Sequence, residues 1–452
     1  MSADARPDLD SIINRTRTSR FQILVIALCV AVIVFDGFDT LSISFAAPGI
    51  AAAWHISPSS FGLVFSIGLF GGLVGAICAG VVADRIGRKP TLVITVLVFG
   101  VVSLATPFAD STTSLSLIRF VTGIGVGGAL PGAIAIAVEY APRRTRAAAA
   151  AVTFCGIPLG AVLGSVLAAR LIPRYGWGSI FTVGGVLPLL LVPFIVVFLP
   201  ESIRFLSLRR DDATIAKLLA RMGVGEEAEP AQAEIRTEVG PRRPSVWSLF
   251  TEGRALGTTL LSVALFLTLL MASFLVSWIP TLAIRAGIGT SAAILAVASL
   301  NIGGVLGSLV ISKLSRRRAP GVVVGLSYAL GAVAIACVGQ AGTSGSWLLG
   351  AAFVAGFLAI GSQMCTISLV ATYYHTRLRA TGVGWAVGCG RVGGIIGPVI
   401  GGWLIGASVS MGAVFVIAGL VCVACAVTVL AIGRLVLCAP TDGTAANAAP
   451  TS

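Results

Sequence analysis

Apolar runs of about twenty residues recur along almost the whole 452-residue chain, and each is long enough to cross a bilayer as a helix. They fall at roughly 21–46, 60–83, 90–109, 113–138, 147–171, 177–199, 256–284, 291–311, 320–339, 347–372, 381–405 and 412–437. Only 11% of the residues are charged, against about a quarter in a soluble protein, so a soluble multidomain reading fails. The expected fold is an all-α membrane protein with twelve transmembrane helices. An even number of spans puts both termini on one side.

The basic residues decide which side. Arg6, Arg15, Arg17 and Arg20 precede the first span; Arg85, Arg88 and Lys89 follow the second; Arg143, Arg144 and Arg146 follow the fourth. Lys313, Arg316, Arg317 and Arg318 follow the eighth, and Arg377 and Arg379 follow the tenth. The opposite loops hold only Arg170, Arg174 and Arg285. By the positive-inside rule both termini are cytoplasmic. The formal charge of +13 thus reflects topology and attraction to anionic inner-leaflet lipid, and calls for no nucleic-acid partner. Arginine far outnumbers lysine, which suggests a GC-rich genome and favours a bacterial inner membrane. The first apolar run reads as a span and not as a cleaved signal peptide. Cys422 and Cys425 form a CxxC inside an apolar helix with no histidine or carboxylate nearby, and read as small buried hydrophobes.

Residues 200–255 interrupt the apolar pattern with charge of both signs and several prolines. "DDATIAKLLARMG" within it has the acids and apolar spacing of one short surface helix, and the rest reads as linker. The expected organisation is a cytoplasmic tail (1–20), a six-helix bundle (21–199), a cytoplasmic central loop (200–255), a second six-helix bundle (256–437) and a second cytoplasmic tail (438–452). The halves echo each other: the second span ends in "GVVADRIGRK" (Gly80–Lys89) and the eighth in "SLVISKLSRRR" (Ser308–Arg318). Parallel repeats of this kind form two bundles that rock around a central site in transporters.

Gly80, Asp84, Arg85, Gly87, Arg88 and Lys89 spell G-x-x-x-D-R-x-G-R-K, which resembles the loop signature of the major facilitator superfamily. That resemblance implies two pseudo-symmetric six-helix bundles whose cytoplasmic ends are latched by this aspartate and these arginines. Glu139, at the cytoplasmic end of the fourth span, is a candidate partner. In the second copy Ser315 stands where the pattern has its aspartate, so a symmetric second latch is not expected. "DGFDTLSISFAAPGI", "RFVTGIGVGGALPGAIAIAVEYAPRRTR" and "RATGVGWAVGCGRVGGIIGPVIGG" narrow the resemblance to the aromatic acid:proton symporter family. Tyr374-His375 departs from the Tyr-Pro more usual there. The family implies a monomeric carrier that takes up benzoate-type acids with protons.

Gly123, Gly125 and Gly128 satisfy GxGxxG, but no strand precedes them and both flanks are membrane helix, so helix packing is expected in place of dinucleotide binding. Gly156, Gly160 and Gly164 recur every four residues on the fifth span. With Gly303, Gly304 and Gly307 of the eighth, the superfamily layout implies either a sliding contact between bundles or static packing. The chain has no P-loop for ATP, no metal-ligand cluster and no nucleophilic triad, so no cofactor and no enzymatic activity are expected.

Four ionisable residues lie away from the membrane edges: Asp36, Asp39, Arg119 and Arg391. Each costs roughly 2.5–3.5 kcal/mol at a helix centre, so they must face a cavity or one another. Asp36 and Asp39, three apart, share a helix face. Arg391 lies midway along its span, and Arg119 nearer the outer end of its own. The arginines can hold a substrate carboxylate bidentately, and the close, desolvated aspartates can carry a proton. Two aspartates and two arginines sum to zero; a bound carboxylate brings −1, and one proton restores neutrality. Phe35, Phe38, Phe45, Phe266, Phe274, Trp278 and Trp385 are available as aromatic walls, with Phe38 and Trp278 the chosen candidates for substrate contact. The same fold also supports proton-driven efflux. A non-transporting sensor is a distant alternative that would be expected to carry an added signalling domain.

Overall fold

The computed structural model describes residues 19–222, 245–317 and 319–438, and among them twelve helices are long and apolar enough to cross a membrane. They are α1 (Arg20–Trp54), α2 (Pro58–Ile86), α3 (Arg88–Phe108), α4 (Thr112–Tyr140), α5 (Arg146–Tyr175) and α6 (Gly178–Phe198), then α7 (Ala255–Arg285), α8 (Thr290–Ser315), α9 (Pro320–Val338), α10 (Gly345–Tyr373), α11 (Leu378–Gly406) and α12 (Met411–Arg434). No strand occurs among the described residues. Arg6, Arg15, Arg17, Arg318, most of both expected tails and residues 223–244 of the central loop lie outside them.

The spans sit close to the sequence expectation, and the largest difference is instructive. The first span is expected to end near residue 46, yet α1 continues through Pro48 to Trp54 and closes on His55 in the left-handed conformation. Proline removes one backbone donor, a loss that neighbouring helices absorb when the segment is packed inside a bundle. Ser19 starts α1 as a capping box with Gln22. Asp212–Arg221 is the expected surface helix, capped by Asp211. The stretch before it is not plain linker: Ile203–Leu208 forms a further short helix whose Ile203 and Leu206 are buried.

Helices α1–α6 pack chiefly on one another, as do α7–α12, and the two groups meet through α2 with α11, α5 with α8, and α1 with α7. Chain direction defines two ends. The near end carries the start of α1, the α2–α3 turn and the segment between α6 and α7; the far end carries the α1–α2 turn.

At the far end the bundles are closed on each other. Ser66 Oγ of α2 donates to the Ile395 carbonyl of α11 at 2.5 Å, and Ser291 Oγ of α8 donates to the Ala169 carbonyl of α5 at 2.8 Å. Phe65 meets the buried Trp278 ring edge-on at 5.3 Å. Toward the near end, a Cβ built at Gly132 of α4, or at Gly384 or Gly388 of α11, would meet nothing within 4 Å.

The glycine faces are not the sliding contact between bundles. Gly156 and Gly160 lie on the backbone and side chains of Ile33, Val34 and Phe38 in α1, inside the first group. Gly303, Gly304 and Gly307 lie on Phe353, Phe357 and Ile360 of α10, inside the second. A four-residue glycine repeat specifies close approach but not which helix approaches, and here both repeats pack within a bundle. Gly123, Gly125 and Gly128 pack on α2 and α3, as the helix-packing reading expects.

Candidate functional site

The four intramembrane charges separate into two arrangements. Asp39 and Arg119 are 2% and 4% exposed, and Arg119 Nη1 lies 3.5 Å from Asp39 Oδ2. Ser103 Oγ donates to Asp39 Oδ1 at 2.6 Å, Arg119 Nη2 donates to Thr106 Oγ1 at 2.5 Å, and the guanidinium sits 4.9 Å from the Phe181 ring centroid. The pair thus joins α1, α3, α4 and α6 within one bundle. Burying one of these charges alone costs several kcal/mol, and the hydrogen bonds and ring face are what make the pair tolerable. The Nε of Arg119 is buried without a partner.

Asp36 lies one helical turn earlier and is placed differently. It is buried, but its carboxylate accepts only a long bond from Thr40, at 3.4 Å. Asp36 and Arg391 of α11 feel each other's field across the join between bundles, yet no ion pair closes between them. Arg391 is half-buried and shares a face of α11 with Gly384 and Gly388, where an added Cβ would meet nothing within 4 Å. A fixed cation therefore sits across the join between bundles from a carboxylate with little hydrogen bonding of its own.

The aromatic candidates lie in packed interiors in this state. Phe38 is 1% exposed and wedged against the Gly164 and Gly184 positions of α5 and α6. Trp278 is fully buried, donating from Nε1 to the Pro398 carbonyl at 3.0 Å. Arg119 is likewise held away from Arg391 by its own bundle.

At the near end, the loop-signature residues form a knot within the first bundle. Arg88 pairs with Glu139, joining α3 to α4, and Ser202 Oγ donates to Glu139 Oε2 at 2.6 Å. Glu201 Oε1 accepts the backbone N–H groups of Arg88 (2.8 Å) and Lys89 (3.1 Å), capping α3 where its dipole favours an anion. Gly87 makes the turn at φ +105°, a conformation open to glycine, and a Cβ there would strike the Glu201 carboxylate. Arg209 Nη2 donates to the Arg85 carbonyl at 2.8 Å. Gly80 fronts open space, and Asp84 is exposed with no ion-pair partner among the described residues.

Sequence reasoning passed over Ser103, Thr106, Glu201 and Ser202. Two signals were available. Ser103 and Thr106 are polar residues three apart in the apolar far-end half of α3, and the Pro200-Glu201-Ser202 triplet follows closely after α6.

Residues 28–398 match the sequence profile described as Major Facilitator Superfamily. The chain belongs to that superfamily. It resembles the gallate transporter of Pseudomonas putida, 36% identical over 95% of this chain and 96% of that one. It also resembles the 4-hydroxybenzoate transporter PcaK of the same organism, 38% identical over 88% of this chain and 90% of that one. These relatives identify a multi-pass membrane transporter of the superfamily's aromatic acid branch, not an enzyme. The fold matches the xylose transporter XylE from E. coli in its inward open conformation (TM-score 0.68, 16% identity, 90% and 95% of the two chains). It also matches a bacterial homologue of the lysosomal transporter Spinster (TM-score 0.67, 16% identity, 93% and 97%).

Proposed function

We propose that this facilitator imports an aromatic carboxylate together with protons, working as a monomer in a bacterial inner membrane with both termini cytoplasmic. The observation that carries this reading is the half-buried Arg391 facing Asp36 across the join between the bundles. The excess of arginine and lysine at the near end supports a cytoplasmic near end, and the contacts that join the bundles at the far end then support an inward-facing state. The relatives' names give the substrate class.

The proposed cycle follows from charge. Empty, ionised Asp36 and Arg391 neutralise each other. Loaded, the substrate carboxylate occupies Arg391 bidentately and Asp36 holds a proton, so the site is neutral again. Either half-loaded form carries a net charge in the membrane interior. A charge there costs about 2.5–3.5 kcal/mol, and at 1.36 kcal/mol per tenfold the half-loaded carrier reorients about a hundredfold less often. Asp39 and Arg119 cancel throughout and hold the first bundle rigid. Asp84, exposed while the near end is open, is the group available to latch that end when it closes.

Proteoliposomes with an imposed proton gradient test this. Labelled hydroxybenzoate should accumulate, an uncoupler should abolish accumulation, and exchange of internal for external acid should survive without a gradient. Accumulation that resists the uncoupler and follows sodium would refute proton coupling.

A further inference from the structure

Two helices of the second bundle carry a stripe that touches the first bundle at the far end and changes character toward the middle of the span. On α11 the stripe runs Gly402, Pro398, Ile395, Arg391, Gly388 and Gly384, at alternating steps of four and three residues that keep it on one side of the helix. Gly402 and Pro398 lie on Ser59 and Gly62 of α2, and the Ile395 carbonyl accepts from Ser66. One turn later comes Arg391, and beyond it a Cβ at Gly388 or Gly384 would meet nothing within 4 Å. On α8 the same spacing gives Ser291, Ile294, Ala298, Asn301, Val305 and Ser308. Ser291 bonds the Ala169 carbonyl of α5, Ile294 and Ala298 are buried, and the next three are half-buried. The other sides of α8 are taken: Gly303, Gly304 and Gly307 lie on α10, and Ile302, Leu306 and Leu309 form an exposed, membrane-facing flank. Asn301 and Arg391 are therefore the first polar side chains on their stripes past the far-end contacts, and both sit near the middle of their spans.

A polar side chain at that depth is costly unless its hydrogen-bonding groups are used. Asn301 Nδ2 donates to the Val297 carbonyl one turn back, at 2.9 Å, which uses one amide proton and steadies the side chain. Its Oδ1 has two lone pairs and accepts no hydrogen bond among the described residues. An acceptor does not attract a carboxylate, so Asn301 leaves the anionic end of a substrate to Arg391. It suits a donor, and an aromatic acid offers one when its ring carries a hydroxyl. The phenolic O–H can donate to Oδ1, and the second amide proton can return a bond to the phenolic oxygen. Leu269 of α7 lies on the Gly390 and Gly394 positions that flank Arg391, and supplies apolar surface for a ring there.

We infer that Asn301 is a specificity-determining residue that reads a ring hydroxyl, so that the preferred substrate is a hydroxylated aromatic acid, held at its carboxylate by Arg391 and at its phenol by Asn301. The inference rests on the carboxylate role proposed above for Arg391. An asparagine that served only to bond its own helix would treat benzoate and hydroxybenzoate alike.

The test is equilibrium binding of benzoate, 3-hydroxybenzoate and 4-hydroxybenzoate to the purified full-length protein in lipid nanodiscs. Wild type should bind one of the hydroxylated acids about three- to tenfold more tightly than benzoate, the worth of one hydrogen bond. Asn301→Leu should bring that ratio to within about twofold of unity while leaving benzoate affinity unchanged. Asn301→Ala should do the same, so the result does not depend on how leucine packs, and melting curves of each variant report folding independently. Arg391→Lys should weaken all three acids by a similar factor and preserve the ratio. Equal wild-type affinity for all three acids, or a ratio that survives both Asn301 substitutions, would overturn the inference and leave the carboxylate site standing. Benzoate affinity falling as far as that of the hydroxylated acids in the Asn301 variants would reveal a structural role and overturn it too. Unaltered affinities in Arg391→Lys would overturn the reading beneath it, and this inference with it.

Discussion

Asp39 and Asp36 are three residues apart, yet the structure gives them different work, and a double-mutant cycle separates the two. Asp39→Asn keeps the shape of the side chain and its reach to Ser103, but leaves Arg119, 4% exposed, without its counter-charge. Breaking a buried pair costs about 3–5 kcal/mol. The 3.5 Å separation is long, and Arg119 keeps Thr106 and the Phe181 face, so the lower end of that range, about 3 kcal/mol, is expected. Arg119→Leu should cost a comparable amount by stranding Asp39. The double variant buries no charge and should recover most of the loss, leaving a cost of about 1–2 kcal/mol and hence a coupling energy of about 4–5 kcal/mol. Asp36→Asn removes a carboxylate that has one long bond and no closed ion pair to the half-buried Arg391, so stability should change by less than about 1 kcal/mol. That variant should still bind and exchange the acid while failing to concentrate it. The assay is thermal unfolding of purified protein in one detergent at one scan rate, because irreversible unfolding makes the midpoint rate-dependent. If Asp39→Asn melts like wild type, or the double variant melts no higher than either single one, the division of roles is wrong.

Arg391→Lys keeps the charge but loses the planar fork, so affinity for the acid should fall about tenfold or more at unchanged expression, read by equilibrium binding; unaltered affinity would remove Arg391 from the carboxylate site. Gly87→Ala should lower stability by about 1–3 kcal/mol in the same melting assay, because the turn needs φ +105° and the Glu201 carboxylate fills the space; an unchanged midpoint would show that the turn can relax. Ser66→Ala removes a hydrogen bond across the closed far end, worth about 0.5–1.5 kcal/mol, and should open that end about two- to tenfold more often. Faster maleimide labelling of a Ser59→Cys probe at the seam would report it, and an unchanged rate would count against Ser66 as a gate contact.

The sequence by itself determined what one-dimensional physics can specify. Run length and hydrophobicity place twelve helices, because a backbone in hydrocarbon must satisfy its own hydrogen bonds and needs about twenty residues to cross. The expense of intramembrane charge singles out Asp36, Asp39, Arg119 and Arg391 without any coordinates. Partnership was not legible. Residues three apart on α1 share a face but still diverge enough for Asp39 to enter its own bundle while Asp36 meets the join between two, a difference set by where α4 and α11 dock. For the same reason the glycines of α5 found α1, not α8: spacing fixes how closely a helix can approach, and only packing chooses which one does. Glu201 reaches the start of α3 across more than a hundred residues, a contact created wholly by the folded bundle.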